Sequence, residues 1–143
     1  MKKMYLVISL SLLASCSIFV PTYDEVIYQK ISAVNDDLDK INAAASKVYA
    51  APPAFSKVES YYVDATANLD GAIEVAEGRA TYLKSRISGR PAEIVATALK
   101  TCQTTLQAQL EAHRKAALNA DTLAVFAAKE ACAIPRVMEN RLK

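Results

Sequence analysis

From Ile27 to Val48 the apolar residues recur at alternating intervals of four and three: Ile27, Ile31, Val34, Leu38, Ile41, Ala45, Val48. This is the a/d repeat of a helix that buries one seam against its neighbours. Asp24, Lys30, Asn35, Asp36, Asp37 and Lys40 fall off the seam and are expected on solvent faces. Thr22-x-x-Glu25 has the form of a capping box, so this helix is expected to start at Thr22. It should reach about Tyr49, a length of roughly 40 Å. Pro52-Pro53 then ends it, because neither proline has an N–H to donate.

A second capping box, Ser56-x-x-Glu59, predicts the start of helix two. Its seam reads Val58, Tyr62, Ala65, Leu69, Ala72, Ala76, Ala80, Leu83, Ile87, and the step from Ala76 to Ala80 implies a stripe that drifts around the helix. Ser88-Gly89-Arg90-Pro91 reads as a stop and restart, with glycine at the C′ position and proline in the next first turn. Helix three is expected from Pro91 to about Leu118, with Val95, Leu99, Cys102, Leu106, Leu110, His113 and Ala117 on one face. Asn119-Ala120-Asp121 predicts a turn, with Asp121 capping helix four. Helix four carries Leu123, Val125, Phe126, Ala127, Ala131 and Cys132. Pro135 is expected to break or kink it, leaving a short amphipathic tail through Val137, Met138 and Leu142. The fold class that follows is all-α: an antiparallel bundle of three long helices plus a short fourth.

Cys102 and Cys132 lie symmetrically about residue 117, beside the predicted turn. In an antiparallel hairpin they are level. Facing helices at ordinary spacing then bring their Cα atoms to about 4–6 Å, which suits a disulfide.

The N-terminus changes the setting. Met1-Lys2-Lys3 precedes an uncharged run through Val20, and Leu13-Ala14-Ser15-Cys16 closes its apolar part. The arrangement resembles a bacterial lipoprotein signal peptide with its lipobox. The resemblance implies that residues 1–15 are removed and that Cys16 carries acyl chains, anchoring the protein to a membrane through covalent lipid. Ser17 is not the aspartate that marks inner-membrane retention in enteric bacteria, so the resemblance implies an outer-membrane lipoprotein of the cell envelope, facing the periplasm. Rival readings are a plain signal peptide or an uncleaved anchor helix, though the run is short for a span. Residues 16–21 would then be a tether and 22–143 a single helical domain. An exported chain with two further cysteines is most simply one disulfide, between Cys102 and Cys132.

Processing also alters the charge. Lys2 and Lys3 leave, so 17 basic residues become 15 against 15 acidic. No nucleic-acid footprint remains. Three glycines, no tryptophan and abundant alanine favour helices.

Little in the chain points to catalysis or to a cofactor. His113 is the only histidine, and Glu111, its nearest acid, points to a different face. Asp36-Asp37-x-Asp39 lacks the later oxygen ligand and the glycine of a calcium loop, because Ile41 and Asn42 occupy those positions. No metal site and no cofactor are expected. The candidates for partner binding are Tyr61 and Tyr62, which cannot both face the core, and Gly71 and Gly78, one heptad apart, where a neighbouring backbone could come close. Arg79, Lys84, Arg86 and Arg90 make a mildly basic end to helix two, expected to be solvated.

A compact, helical, single-disulfide lipoprotein is similar in layout to the pilotins of secretion systems, which bind a secretin tail. That implies a non-enzymatic protein that binds an envelope protein partner through a helical face. The alternative is a surface-exposed, exclusion-type lipoprotein that occludes a receptor or transfer apparatus. A homo-oligomer joined through the helix-one seam is a further reading.

Overall fold

The structure is a computed structural model that describes residues 23–46 and 51–143. Thr22, Val48, Tyr49 and the whole lipobox, Cys16 included, lie outside the described residues. Five α-helices follow in order: α1 (Glu25–Ala45), α2 (Glu59–Leu83), α3 (Gly89–Lys115), α4 (Ala120–Phe126) and α5 (Ala128–Arg141). A 3₁₀ turn over Phe55–Lys57 leads into α2. The architecture is the expected all-α bundle, with three long helices and two short ones in place of one.

The long helices and α5 pack as antiparallel neighbours. α1 lies against α2 and α5, and α3 lies against α2 and α5. The α1 seam is buried where described: Ile27, Ile31, Val34, Leu38 and Ile41 are fully buried, and Ala45 is half-buried. The seam of α2 holds at Val58, Tyr62, Ala65, Leu69, Ala72, Ala76 and Leu83, while Ile87 is 91% exposed. In α3, Val95, Leu99, Cys102, Leu106 and His113 are buried, Leu110 is half-buried and Ala117 is exposed.

Cys102 and Cys132 form a disulfide that joins α3 to α5, with Cα atoms 4.6 Å apart. Closing a loop of 30 residues stabilises the fold by roughly 3–4 kcal/mol in the chain-entropy view.

The helix boundaries bring several corrections. The cap of α1 is Asp24, whose Oδ1 accepts from the N–H groups of Val26 and Ile27 at 2.9 and 3.2 Å. Helix α2 starts without a side-chain cap: the 3₁₀ turn runs directly into it, and the Val58 carbonyl accepts from Tyr61 and Tyr62. The cap of α4 is Asn119, which accepts from the Thr122 N–H at 2.8 Å, and Asp121 lies in the first turn.

Gly89 is not a left-handed C′ residue. None of the described glycines has positive φ, and Gly89 is the buried first residue of α3. Its demand is for space, since a Cβ there would lie 2.4 Å from the Leu83 carbonyl oxygen. Pro91 stands in the first turn of α3, as expected. The break in the last hairpin falls at Ala127, with φ 52°, and not at Pro135, which is buried inside α5.

Candidate functional site

The single histidine is bound into the core. His113 is 1% exposed and sits one heptad-type step from Gln109, which is 2% exposed. Across from them, α2 supplies Tyr62, and the Pro52-Pro53 stretch supplies a backbone carbonyl. The Pro53 oxygen can only accept, so His113 Nε2 carries the ring hydrogen and donates to it at 2.8 Å. His113 Nδ1 then accepts from the Tyr62 hydroxyl at 3.1 Å. The same hydroxyl accepts from Gln109 Nε2 at 2.9 Å. The chain runs one way, Gln109 to Tyr62 to His113 to Pro53. Burial pushes the Tyr62 phenol above its ordinary range, opposed by the bond from Gln109. Phe55 closes the cluster, its ring centroid 5.9 Å from Tyr62 and 6.2 Å from His113. Each polar atom named is occupied, so the cluster holds the α1–α2 connection to α3 and presents no free base.

A second buried polar group lies at the opposite end. Glu139 of α5 is fully buried. Its Oε2 accepts from the Asp24 N–H at 2.8 Å, and its Oε1 accepts from Arg79 Nη1 at 3.0 Å. Three elements thus meet at one carboxylate. Burial raises the Glu139 carboxyl above the ordinary glutamate range, while the Asp24 N–H and the Arg79 charge oppose the rise. Arg79 Nη2 is buried with no partner. Arg79 therefore leaves the solvated basic run expected from the sequence and turns inward, and Ala80 is only half-buried.

The α1 faces are corrected in the same way. Asn35 is 5% exposed, and its Nδ2 donates to the carbonyls of Ile31 at 2.7 Å and Cys132 at 3.0 Å. Pro135 has no N–H to give the Ala131 carbonyl, the residue next to Cys132. Asp37 is 6% exposed and pairs with Lys40 at 2.8 Å, while Asp36 and Asp39 are exposed. Asp39 reaches Lys129 of α5 at 2.5 Å.

The four residues expected to bind a partner do not form a patch. Tyr62 is fully buried, so its side chain cannot meet a partner. Tyr61 is half-buried, with Lys40 Nζ 5.3 Å from its ring centroid. A Cβ on Gly71 would meet the Lys30 Nζ at 2.8 Å, the far end of a flexible side chain. Gly78 is exposed with nothing within 4 Å of such a Cβ. No backbone of this chain is among the nearest atoms at either glycine. From Tyr61 to Gly78 the helix rises roughly 26 Å.

The surface feature that the sequence did not single out lies between α3 and α5. There Ile94, Thr97, Ala98, Thr101, Ala131 and Ile134 line an open groove of about 450 Å³, with Arg90 and Glu93 at one end. Ile94 and Ile134 are 48% and 49% exposed. Among the described residues no cluster of three or more His, Cys, Asp or Glu side chains could hold a metal. No helix among them is long and apolar enough to cross a membrane.

The class defined by fold and surface is a small disulfide-stapled all-α bundle with an apolar groove on one side. No family model, no curated protein and no solved structure matches the chain.

Proposed function

We propose that the protein is a membrane-anchored, non-enzymatic lipoprotein that binds an envelope protein partner through the α3–α5 face. The observation that carries the reading is the groove itself. It leaves Ile94 and Ile134 half in water beside Ala98 and Ala131, with opposite charges on Arg90 and Glu93 at its mouth. That composition suits an amphipathic segment of a protein, whose apolar residues enter between two helices while its polar ends meet the charges. Two further facts support it. The only histidine is held inside the core network. The disulfide ties together the two helices that form the groove, so its walls are fixed before a partner arrives.

The test is crosslinking in intact cells, followed by affinity purification from detergent-solubilised envelopes. Wild type is expected to retain a stoichiometric envelope protein. Cys16→Ala loses it by losing the anchor, and Ile94→Asp or Ile134→Asp loses it while still anchored. An unchanged partner in both groove variants would overturn the choice of face. No partner in wild type would overturn the adaptor reading.

A further inference from the structure

The turn that joins α2 to α3 combines exposed apolar side chains with cations alone. Between Glu77 and Glu93 the chain carries Arg79, Lys84, Arg86 and Arg90 and no acidic residue. Arg79 turns inward to Glu139, and the other three are exposed. Ile87, at the tip, is 91% exposed. Tyr82 is 67% exposed, and the Arg86 guanidinium lies 5.2 Å from its ring centroid. Large apolar side chains held in water among cations are the composition of a membrane-interface anchor.

Topology puts this turn where α1 begins. The Asp24 N–H and Arg79 share the Glu139 carboxylate, so the start of α1 is level with Arg79. Helix α2 continues past Arg79 to Leu83, about 6 Å further, before the chain reverses. The α2–α3 turn is therefore the extremity of the bundle at that end. Lys143 is at this end too, its Nζ 4.8 and 4.7 Å from the ring centroids of Tyr23 and Tyr28. The chain from Cys16 to Tyr23 can span at most about 25 Å. A lipid on Cys16 would hold this end of the bundle, and not the other, close to a bilayer.

We propose that the α2–α3 turn is a second, non-covalent membrane contact, in which Ile87 and Tyr82 enter the bilayer interface while Lys84 and Arg86 meet anionic phospholipid headgroups. The orientation rests on the anchoring reading above, but the surface chemistry does not require the acyl chains. The contact sets the tilt of the bundle. With the turn against the headgroups, the α3–α5 groove rises away from the membrane and stays open to a protein.

The test uses a chain of residues 17–143 without any acyl group, which retains every core residue from Ile27 to Cys132. It is titrated with vesicles of phosphatidylcholine, with and without phosphatidylglycerol. Binding is expected to the anionic vesicles only and to fall with added salt. Arg86→Gln should weaken it about fivefold, the usual effect of removing one basic residue near an anionic surface. Ile87→Asp should abolish it. Val125→Asp, at an exposed position on α4 at the far end, should leave it unchanged, and circular dichroism checks that each variant is folded. No binding to anionic vesicles, or equal losses for Ile87→Asp and Val125→Asp, would overturn the proposal. Acyl labelling of Cys16 in cells tests the anchor separately, so failure of one reading is told apart from failure of the other.

Discussion

The Tyr62 hydroxyl stands between Gln109 and His113, accepting from one and donating to the other. Phenylalanine would keep the ring and its packing on Phe55 and His113 while removing both bonds. Gln109 Nε2 would then lack an acceptor and His113 Nδ1 a donor, both in the core. Such a loss costs about 1–3 kcal/mol for each buried group left unpaired. Tyr62→Phe is expected to lower the stability read from urea titration by about 2 kcal/mol, with little change in the slope. Gln109→Met in the same background should cost less than it does alone, because its partner is already gone. Additive losses would mean that the two groups act independently. His113 was legible in the sequence as a packed seam residue. Its partners were not, because Tyr62 and the Pro53 carbonyl lie 51 and 60 positions away. The helix-two seam already placed Tyr62 inward, which leaves Tyr61 as the outward member of the pair.

Helix faces were legible along most of the apolar seams, with Ile87 and Ala117 the exceptions, and apart from His113 the buried polar side chains were misread. Helix α2 keeps an unbroken four-three spacing through Ala72, Ala76, Arg79 and Leu83, with Arg79 as a seam residue. Ala80 looked like the seam only because it is apolar. Helix α3 does the same through Cys102, Leu106, Gln109 and His113, and α5 through Ala128, Cys132, Pro135 and Glu139. The period placed these polar side chains inside, and hydropathy alone argued against it. Pairing resolves the conflict: Arg79 with Glu139, and Gln109 with Tyr62. The division between α4 and α5 had no such signal. Ala127 takes a left-handed conformation in a stretch without glycine or proline, driven by the need to bury Leu123 and Ala128 from two helix directions. A non-glycine residue pays for φ 52° through its Cβ, and Ala127 is exposed, so nothing else depends on its methyl group. Ala127→Gly is therefore expected to stabilise the fold by about 0.5–1 kcal/mol, against the loss expected at an ordinary helical site. A decrease in melting temperature would show that the left-handed turn is not populated.

At the scale of the whole molecule, Glu139 and Arg79 tie the start of α1 to α2 and α5 at the end where α1 begins. The elevated Glu139 carboxyl means that burial outweighs the help from Arg79 and the Asp24 N–H. The folded chain therefore keeps this proton to higher pH than the unfolded chain. Between the ordinary glutamate range and the raised folded value, the folded state binds more protons, so the contribution of Glu139 to stability falls as pH rises through that window. The slope belongs to the carboxyl alone and should vanish in variants that lack it. Arg79→Met leaves a buried carboxylate without its cation and is expected to cost about 3 kcal/mol or more at neutral pH. Adding Glu139→Gln removes that charge and keeps an acceptor for the Asp24 N–H. Methionine meanwhile replaces the apolar stem of Arg79 and removes its unpartnered Nη2. The double variant should match or exceed wild type by up to about 2 kcal/mol at neutral pH. Denaturation of wild type, Arg79→Met and the double variant across acidic to neutral pH measures both effects. If the double variant is no more stable than Arg79→Met, the ion pair contributes net stability and the burial argument fails. If it recovers, the pair fixes which elements meet at the end where α1 begins without contributing net stability.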